Sequence, residues 1–257
     1  MPNLQQIIEL REQYAQLTQR EIRARDYLIK SNLKSQAITK PFSFDQKALF
    51  EHLSLPSDKP SIIKYFENVE EEEVVLLFID IADFSSISEG WSNIQLTNYL
   101  NRYYKIIFPI IYKYDGQIEK LMGDGIICLF GKPFIDVAWN EEFNRAELCA
   151  KEIITTLKGT NKAVKIALHD GPIKYFKTPT GYYEEYTMIG KPLTELYRLE
   201  SVAIKNAINF YHNSIYDGIN PNTRLKISAI DPADVKVYAT PIKLKGVKYE
   251  FMKYMRF

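Results

Sequence analysis

The sequence predicts an α/β or α+β chain with a β-α-β-β-α-β core, preceded by a helical extension, and three observations carry that prediction. The run Val74-Val75-Leu76-Leu77-Phe78-Ile79-Asp80-Ile81 is continuous, apolar and of strand length, as a strand covered on both faces would be. Strand-like runs at 116–121 and 126–130 flank the turn Met122-Gly123-Asp124-Gly125 and predict a hairpin. Helical stretches stand on either side of that hairpin, and a strand at 164–169 closes the unit.

Taken in order, residues 3–30 read as one amphipathic helix, with Leu10, Tyr14, Leu17, Ala24 and Leu28 on its apolar seam and Glu21 interrupting it. Residues 31–69 hold Pro41, Pro56 and Pro60 among short apolar groups and read as a connecting segment, so the organisation is an extension over 1–69 and a main domain over 70–257. Ser92 is placed to cap a helix running to about 112, bent or interrupted by Pro109. A second helix spans about 138–157. Gly171-Pro172 is expected to end the strand that starts at 164. Strand segments at 173–176 and 182–188 flank a turn at Pro179-Thr180-Gly181. Pro192 opens a helix carrying Arg198, and the last 60 or so residues are strand-rich.

Composition excludes several classes of protein. The 257 residues carry 33 Lys and Arg against 32 Asp and Glu, a net charge of +1, so no basic excess supports nucleic-acid binding. A polyanionic ligand must be gripped locally. The 46% apolar and 25% charged content is that of a globular chain. Cys128 and Cys149 lie in apolar contexts and read as buried thiols in a reducing compartment. No apolar run is long enough to span a bilayer, and no signal peptide is legible, so a cytoplasmic protein with no membrane or nucleic-acid partner is expected. His52, His169 and His212 lack ligand spacing and read as structural.

Two aspartates stand out because each ends or interrupts an apolar element. Asp80 closes VVLLFI, and Asp124 sits at the apex between QIEKL and IICLF. A strand end beside a hairpin apex can bring two carboxylates together, the donor set that Mg²⁺ or Mn²⁺ takes alongside phosphate oxygens. Taken singly, Asp80 reads equally as a turn residue and Asp124 as the Asp of an Asp-Gly turn.

The segments LFIDIADFSSIS and YKYDGQIEKLMGDGIICLFGKP together resemble the catalytic core of class III nucleotidyl cyclases. KIALHDGPI, YTMIGKPLTELYRLES and IKLKG are similar to the family's central strand and Gly-Pro turn, its dimer-interface segment and its C-terminal Lys-Gly strand. The resemblance covers about 70–257 and implies the ferredoxin-like form of the core. It further implies that Asp80 and Asp124 bind two divalent metal ions, Mn²⁺ or Mg²⁺, with the Ile81 carbonyl as a supporting ligand. Amides around Asp83, Phe84 and Ser85 would cradle the terminal phosphates of a nucleoside triphosphate. Arg198 matches the transition-state arginine, Lys245 the phosphate-binding lysine, and Lys120 and Thr187 the two positions facing the base. In the family these halves come from different subunits, so a head-to-tail homodimer with shared active sites is implied.

Thr194 stands where the usual family member has Asn to orient the ribose. The acidic partner of many adenylyl cyclases is replaced by Thr187, and the Glu and Cys of guanylyl cyclases are absent. A cyclase without attached sensory domains looks like the pyrimidine cyclases of bacterial antiphage (Pycsar) systems, which implies UTP as substrate and cyclic UMP as an antiviral second messenger. An adenylyl cyclase using Lys120 and Thr187, a cytidylate cyclase making cyclic CMP, and a degenerate module that holds nucleotide without turnover are the alternatives.

Overall fold

The computed structural model describes residues 9–11, 13–14, 59–177, 186–219 and 235–257. The element order is α1 (Lys59–Asn68), β1 (Glu72–Ile81), α2 (Phe84–Ile87), α3 (Asn93–Lys113), β2 (Gln117–Met122), β3 (Gly125–Phe130), α4 (Trp139–Leu157), β4 (Val164–Lys177), β5 (Tyr186–Ile189), α5 (Lys191–Glu200), β6 (Ile208–Tyr211), α6 (Ile215–Gly218), β7 (Lys236–Pro241) and β8 (Phe251–Arg256). The main sheet runs β2-β3-β1-β4-β6-β8-β7, with β5 paired to the far end of β4. Within it, β1, β2, β3 and β4, linked by α3 and α4, are the antiparallel β-α-β-β-α-β unit that the sequence predicts.

β1 is central because it is apolar on both faces. Val75, Leu77, Ile79 and Ile81 face a core that includes Tyr103, Ile107 and Ile111 of α3 and Phe143, Ala150 and Ile154 of α4. Val74, Leu76 and Phe78 face the opposite core, with Ile62 and Phe66 of α1 and Leu196 and Leu199 of α5. Each buried Val, Leu, Ile or Phe side chain among them contributes about 1.5–3 kcal/mol of transfer free energy. The helix at Lys59–Asn68 lies inside what reads from sequence as a connecting segment. Ile62 and Phe66, four residues apart, give it a buried stripe, and Phe66 stacks on Tyr175 with ring centroids 3.7 Å apart.

α3 starts where the sequence places it. The Ser92 side chain accepts from the Gln95 N–H while the Gln95 side chain accepts from the Ser92 N–H, a complete capping box. The helix continues through Pro109 to Lys113. Only the residue four positions back, Lys105, loses a helical partner for its carbonyl, and Lys105 is exposed to water.

Gly171-Pro172 does not end β4, which runs unbroken from Val164 to Lys177. β6 pairs only with Ile166 and Ala167, so the flank of β4 away from β1 is open at Pro172, where the missing N–H has no ladder bond to lose. Gly171 is required for a different reason. Its φ is +138°, and a Cβ there would lie 2.7 Å from Cγ of Pro192 at the start of α5.

Glu9–Arg11 and residues 13 and 14 are helical or packed as a helix would be: the Tyr14 ring stacks on Tyr112 at 5.9 Å, meets Phe108 edge-on at 5.8 Å, and the Arg11 Nη2 donates to the Phe134 carbonyl at 3.0 Å. The remainder of the expected 3–30 helix, His52 and the turn at 179–181 lie outside the described residues. Cys128 and Cys149 are free and buried, as their contexts suggest. Among the described residues, no helix is long and apolar enough to cross a membrane.

Gly171→Ala combines a strained φ with a steric clash at α5 and is expected to destabilise the protein by about 2 kcal/mol, read as a lower midpoint at unchanged slope in urea unfolding.

Candidate active site

The end of β1 and the apex of the β2–β3 hairpin meet. β1 pairs β3 from Val75–Phe130 to Ile79–Ile126, which carries the Met122–Gly125 turn up beside Asp80. The carboxyls of Asp80 and Asp124 lie close enough that each acts on the other's proton affinity. A Cβ on Gly125 would come within 2.9 Å of the Phe78 ring and 3.6 Å of Asp80 Oδ1, so only glycine leaves the space beside that carboxylate open. The apex is held from behind by Tyr104 of α3, whose hydroxyl donates to the Gly123 carbonyl.

A residue that sequence reasoning missed completes this corner. Asp80 stands directly opposite Lys165 in the β1–β4 register. Lys165 Nζ lies 3.3 Å from Asp80 Oδ2 and 2.5 Å from Glu200 Oε1 at the end of α5. Burial lowers the Lys165 ammonium's affinity for its proton, but Glu200 and then Asp80 overcome this and raise its pKa. Burial, followed by the negative charge of Asp124, pushes the Asp80 carboxyl above the ordinary carboxylate range, with Lys165 opposing. Burial also raises Asp124, against its own backbone N–H, Asp80 and Lys165. The only sequence signal for Lys165 is a charge beginning the apolar run KIALH, and its partner was a matter of register.

The donor set fits a divalent cation. Two desolvated carboxylates pressed together form a site whose repulsion a cation relieves. No third carboxylate, histidine or cysteine joins them as a metal-binding group among the described residues. The remaining positions would fall to backbone carbonyls, water and substrate oxygens, the usual manner of holding Mg²⁺. Ile81 occupies the last ladder position of β1, opposite Val164, and the chain then turns through Asp83 at φ +59° into α2. The amides of Ser86 and Ile87 bond back to the Asp83 carbonyl, and Phe84 and Ser85 form the first turn, half-buried and exposed respectively. Asp83 is itself paired with Lys205 at 3.3 Å.

The other expected site residues are placed elsewhere on the chain. Thr194 and Arg198, one helical turn apart, share the exposed face of α5, while Glu195, Leu196 and Leu199 are buried beneath. Lys245 is exposed in the turn between β7 and β8, beside Gly246 at φ +78°, and not in a strand as the resemblance implies: β7 ends at Pro241 and the Ile242–Glu250 backbone bond leaves the loop between them free to turn. Lys120 and Thr187 are half-buried on β2 and β5. Among the described residues, no hydrogen bond or ion pair joins Lys120, Thr187, Thr194, Arg198 or Lys245 to either aspartate.

Between Lys120 and Thr187 lies a second missed residue. A register shift between Ile118 and Lys120 makes Glu119 the extra residue of a β-bulge. The backbone of Met188, next to Thr187, acts on its carboxyl electrostatically. Desolvation raises that carboxyl to about 8, against the Met188 N–H and Lys120. The two histidines expected to be structural are each paired: His169 Nε2 lies 2.9 Å from Glu195, and His212 Nδ1 2.7 Å from Asp217.

Comparison with known proteins shows the family. Residues 66–253 match the family described as "Adenylate and Guanylate cyclase catalytic domain", and the chain belongs to that family. It is 25% identical over 138 residues to Adenylate cyclase 1 of Rhizobium meliloti (strain 1021), covering 51% of this chain and 21% of that protein. It is 28% identical over 107 residues to the receptor-type guanylate cyclase gcy-7 of Caenorhabditis elegans, covering 40% of this chain and 10% of the relative. The chain thus spans about a fifth of the first of these curated relatives and a tenth of the second. Among solved structures, the adenylyl cyclase CyaB from P. aeruginosa superposes with a TM-score of 0.57 at 22% identity, covering 72% of this chain and 94% of the other. The guanylyl cyclase Cya2 gives 0.56 at 24%, covering 72% and 92%. The fold is that of the class III cyclase catalytic domain.

Because both aspartates bind their protons more tightly in the folded state, the pair costs stability at neutral pH, and that cost disappears on acidification. Asp124→Asn is expected to raise the melting temperature of the metal-free protein. It should also abolish the further rise that Mn²⁺ gives the wild type, as read by calorimetry at pH 7 with and without Mn²⁺.

Proposed function

We propose that the chain is a nucleotidyl cyclase that converts a nucleoside triphosphate to a 3′,5′-cyclic nucleotide and diphosphate, with UTP as substrate and cyclic UMP as product. The observation that carries this reading is the Asp80–Asp124 pair, brought into contact where β1 ends against the hairpin apex. Two divalent ions bound there, Mn²⁺ or Mg²⁺, supply charge stabilisation for the attacking 3′-oxygen and the leaving diphosphate.

The chain's own residues do the rest. Lys165, tied to Glu200, fixes the Asp80 carboxylate in position. The turn at Phe84 and Ser85 offers first-turn N–H groups to the terminal phosphates. Lys245 and Arg198 of a second copy neutralise the phosphates, and one well-aimed donor in such a role contributes about 3 kcal/mol. Thr194, on the same helix face as Arg198, orients the ribose through its hydroxyl. Lys120 and Thr187 face the base. The resemblance, in which these residues come from two subunits, supports a head-to-tail homodimer, with each active site built from both protomers.

The departure at Thr194 supports a pyrimidine substrate, and with it a soluble cytoplasmic enzyme making an antiphage second messenger. ATP is the second reading, favoured by the likeness to an adenylate cyclase across 51% of the chain.

Purified protein incubated with ATP, GTP, UTP or CTP and Mn²⁺, with products identified by mass spectrometry, decides between them. Cyclic UMP is expected. Cyclic AMP or cyclic CMP alone overturns the uridylate reading, and no product from any nucleotide overturns the cyclase reading in favour of a nucleotide-holding module. Asp80→Asn and Arg198→Ala should each lower kcat by about 100-fold or more. A mixture of the two variants should recover activity well above either alone, because a mixed dimer contains one intact site; no recovery overturns the shared-site arrangement.

A further inference from the structure

β4 meets α5 through alternate residues, as one face of a strand does: Gly171 lies against Pro192, His169 against Glu195 and Lys165 against Glu200. The helix therefore runs antiparallel to the strand and is tied to it at its start, its middle and its end. Apolar burial does not account for the middle contact. Pro192, Glu195, Leu196 and Leu199 are the buried stripe of α5, and a glutamate in such a stripe carries a desolvation cost that a leucine would not. His169 is buried as well, and its Nδ1 has no hydrogen-bond partner, a further cost. Burial pushes the Glu195 carboxyl up, but the hydrogen bond and charge of His169, followed by Lys191 at 3.5 Å, overcome it and lower its pKa, so the group stays a carboxylate. The surroundings of the pair are rigid. His169 Nε2 lies 2.9 Å from Glu195 Oε2, the Tyr211 and Tyr249 rings hold the imidazole edge-on at 5.0 and 5.8 Å, and the Tyr211 hydroxyl donates to the Glu195 carbonyl at 2.7 Å. Side chain and main chain of one helical residue are thus both held by hydrogen bonds, which have a direction where apolar contacts have none.

We propose that His169 is a positioning residue of the active site: through Glu195 it sets how far α5 is turned about its own axis, and with that where Thr194 and Arg198 stand on the exposed face. The proposal rests on the reading that Thr194 and Arg198 act on the nucleoside triphosphate. Thr194 adjoins Glu195 in the chain, and Arg198 follows within one helical turn. Side chains reach about 5–6 Å from a helix axis, so a rotation of about 10° moves their tips by about 1 Å, and a misplacement of about 1 Å costs about 100-fold in rate. The packing of Leu196 and Leu199 does not prevent such a rotation, because apolar contact has no preferred direction. Nor does the Lys165–Glu200 contact: Glu200 is the last residue of α5, and the lysine that holds it is a flexible stem shared with Asp80. The bond from His169 to the middle of the helix is the short, rigid one.

The test uses the double variant His169→Leu/Glu195→Leu, which removes both polar groups together and leaves an apolar contact in their place. It is expected to melt no lower than wild type and to keep the Mn²⁺-dependent rise in melting temperature, yet to lose about tenfold or more in kcat for whichever nucleotide wild type cyclises. Glu195→Gln, which keeps an oxygen to accept from the imidazole, should recover most of that loss. Mixing locates the defect. With Asp80→Asn the double variant should regain activity, because the mixed dimer pairs intact aspartates with an intact α5; with Arg198→Ala it should not, because both chains then lack the same half. A pair that serves only the fold would lower the melting temperature and leave kcat per folded molecule unchanged. Glu195→Asp, which keeps the charge and shortens the reach by one methylene, should show the same loss and the same mixing pattern, and serves if the double variant does not fold. A kcat within about threefold of wild type in the folded variant overturns the proposal. So does recovery with Arg198→Ala, or no recovery with Asp80→Asn when Asp80→Asn and Arg198→Ala restore each other; where those two do not, kcat and melting temperature decide. Wild type that cyclises no nucleotide rejects the cyclase reading and this proposal with it, whereas active wild type beside an equally active variant rejects this proposal alone.

Discussion

The ion pair between Asp80 and Lys165, continued from Lys165 to Glu200, is the interaction on which the rest of the structure depends. Asp80 is the first half-buried position after six fully buried ones in β1, so its carboxylate is largely stripped of water. A carboxylate in that setting needs a counter-charge or several kcal/mol of stability is lost. The β1–β4 register supplies it from the neighbouring strand, and the last residue of α5 supplies the second anion that holds the lysine in place. Strand, sheet neighbour and helix end are thereby fixed relative to one another at the point where the hairpin delivers Asp124. This corner is assembled by electrostatics, on a scaffold assembled by apolar burial.

That division of labour explains what could be read from the chain and what could not. β1, the β2–β3 hairpin, the Ser92 cap and the helix after Pro192 were legible because their signals are local: an apolar run, an Asp-Gly turn, a capping pair, a proline at a helix start. Asp80 and Asp124 were legible because each breaks such a signal. Lys165 and Glu119 were not. The role of Lys165 depends on which residue of another strand it faces, and the place of Glu119 on one inserted residue in β2. Neither register nor bulge has a signature in a single sequence. Gly171-Pro172 misled for a related reason. The pair looks like a strand terminator, yet it is tolerated because the flank of β4 it would disturb has no partner there.

Thr194 and Arg198 occupy a helix face turned to solvent, while the opposite face, with Leu196 and Leu199, is locked onto β1 and β4. A rigid helix of this kind presents its polar pair at a fixed height above the sheet without spending any part of the core on it. The exposed face can therefore change residue, as Asn to Thr at position 194, with little consequence for folding. Changes at Gly171 or Glu200 are not similarly free, since one sets how closely the helix approaches the sheet and the other closes its charge network.

The hairpin apex is not held by the sheet alone. The Gly123 carbonyl is grasped by the Tyr104 hydroxyl, the Tyr104 ring stacks on Phe108 at 5.0 Å, and Phe108 meets Tyr14 of the N-terminal segment at 5.8 Å. Three rings in series form a lever whose short arm ends one residue from Asp124. The separation of the two aspartates is thus referenced to the position of a segment more than 100 residues away in sequence, and whatever sets the seat of that segment also sets the calibration of the carboxylate pair.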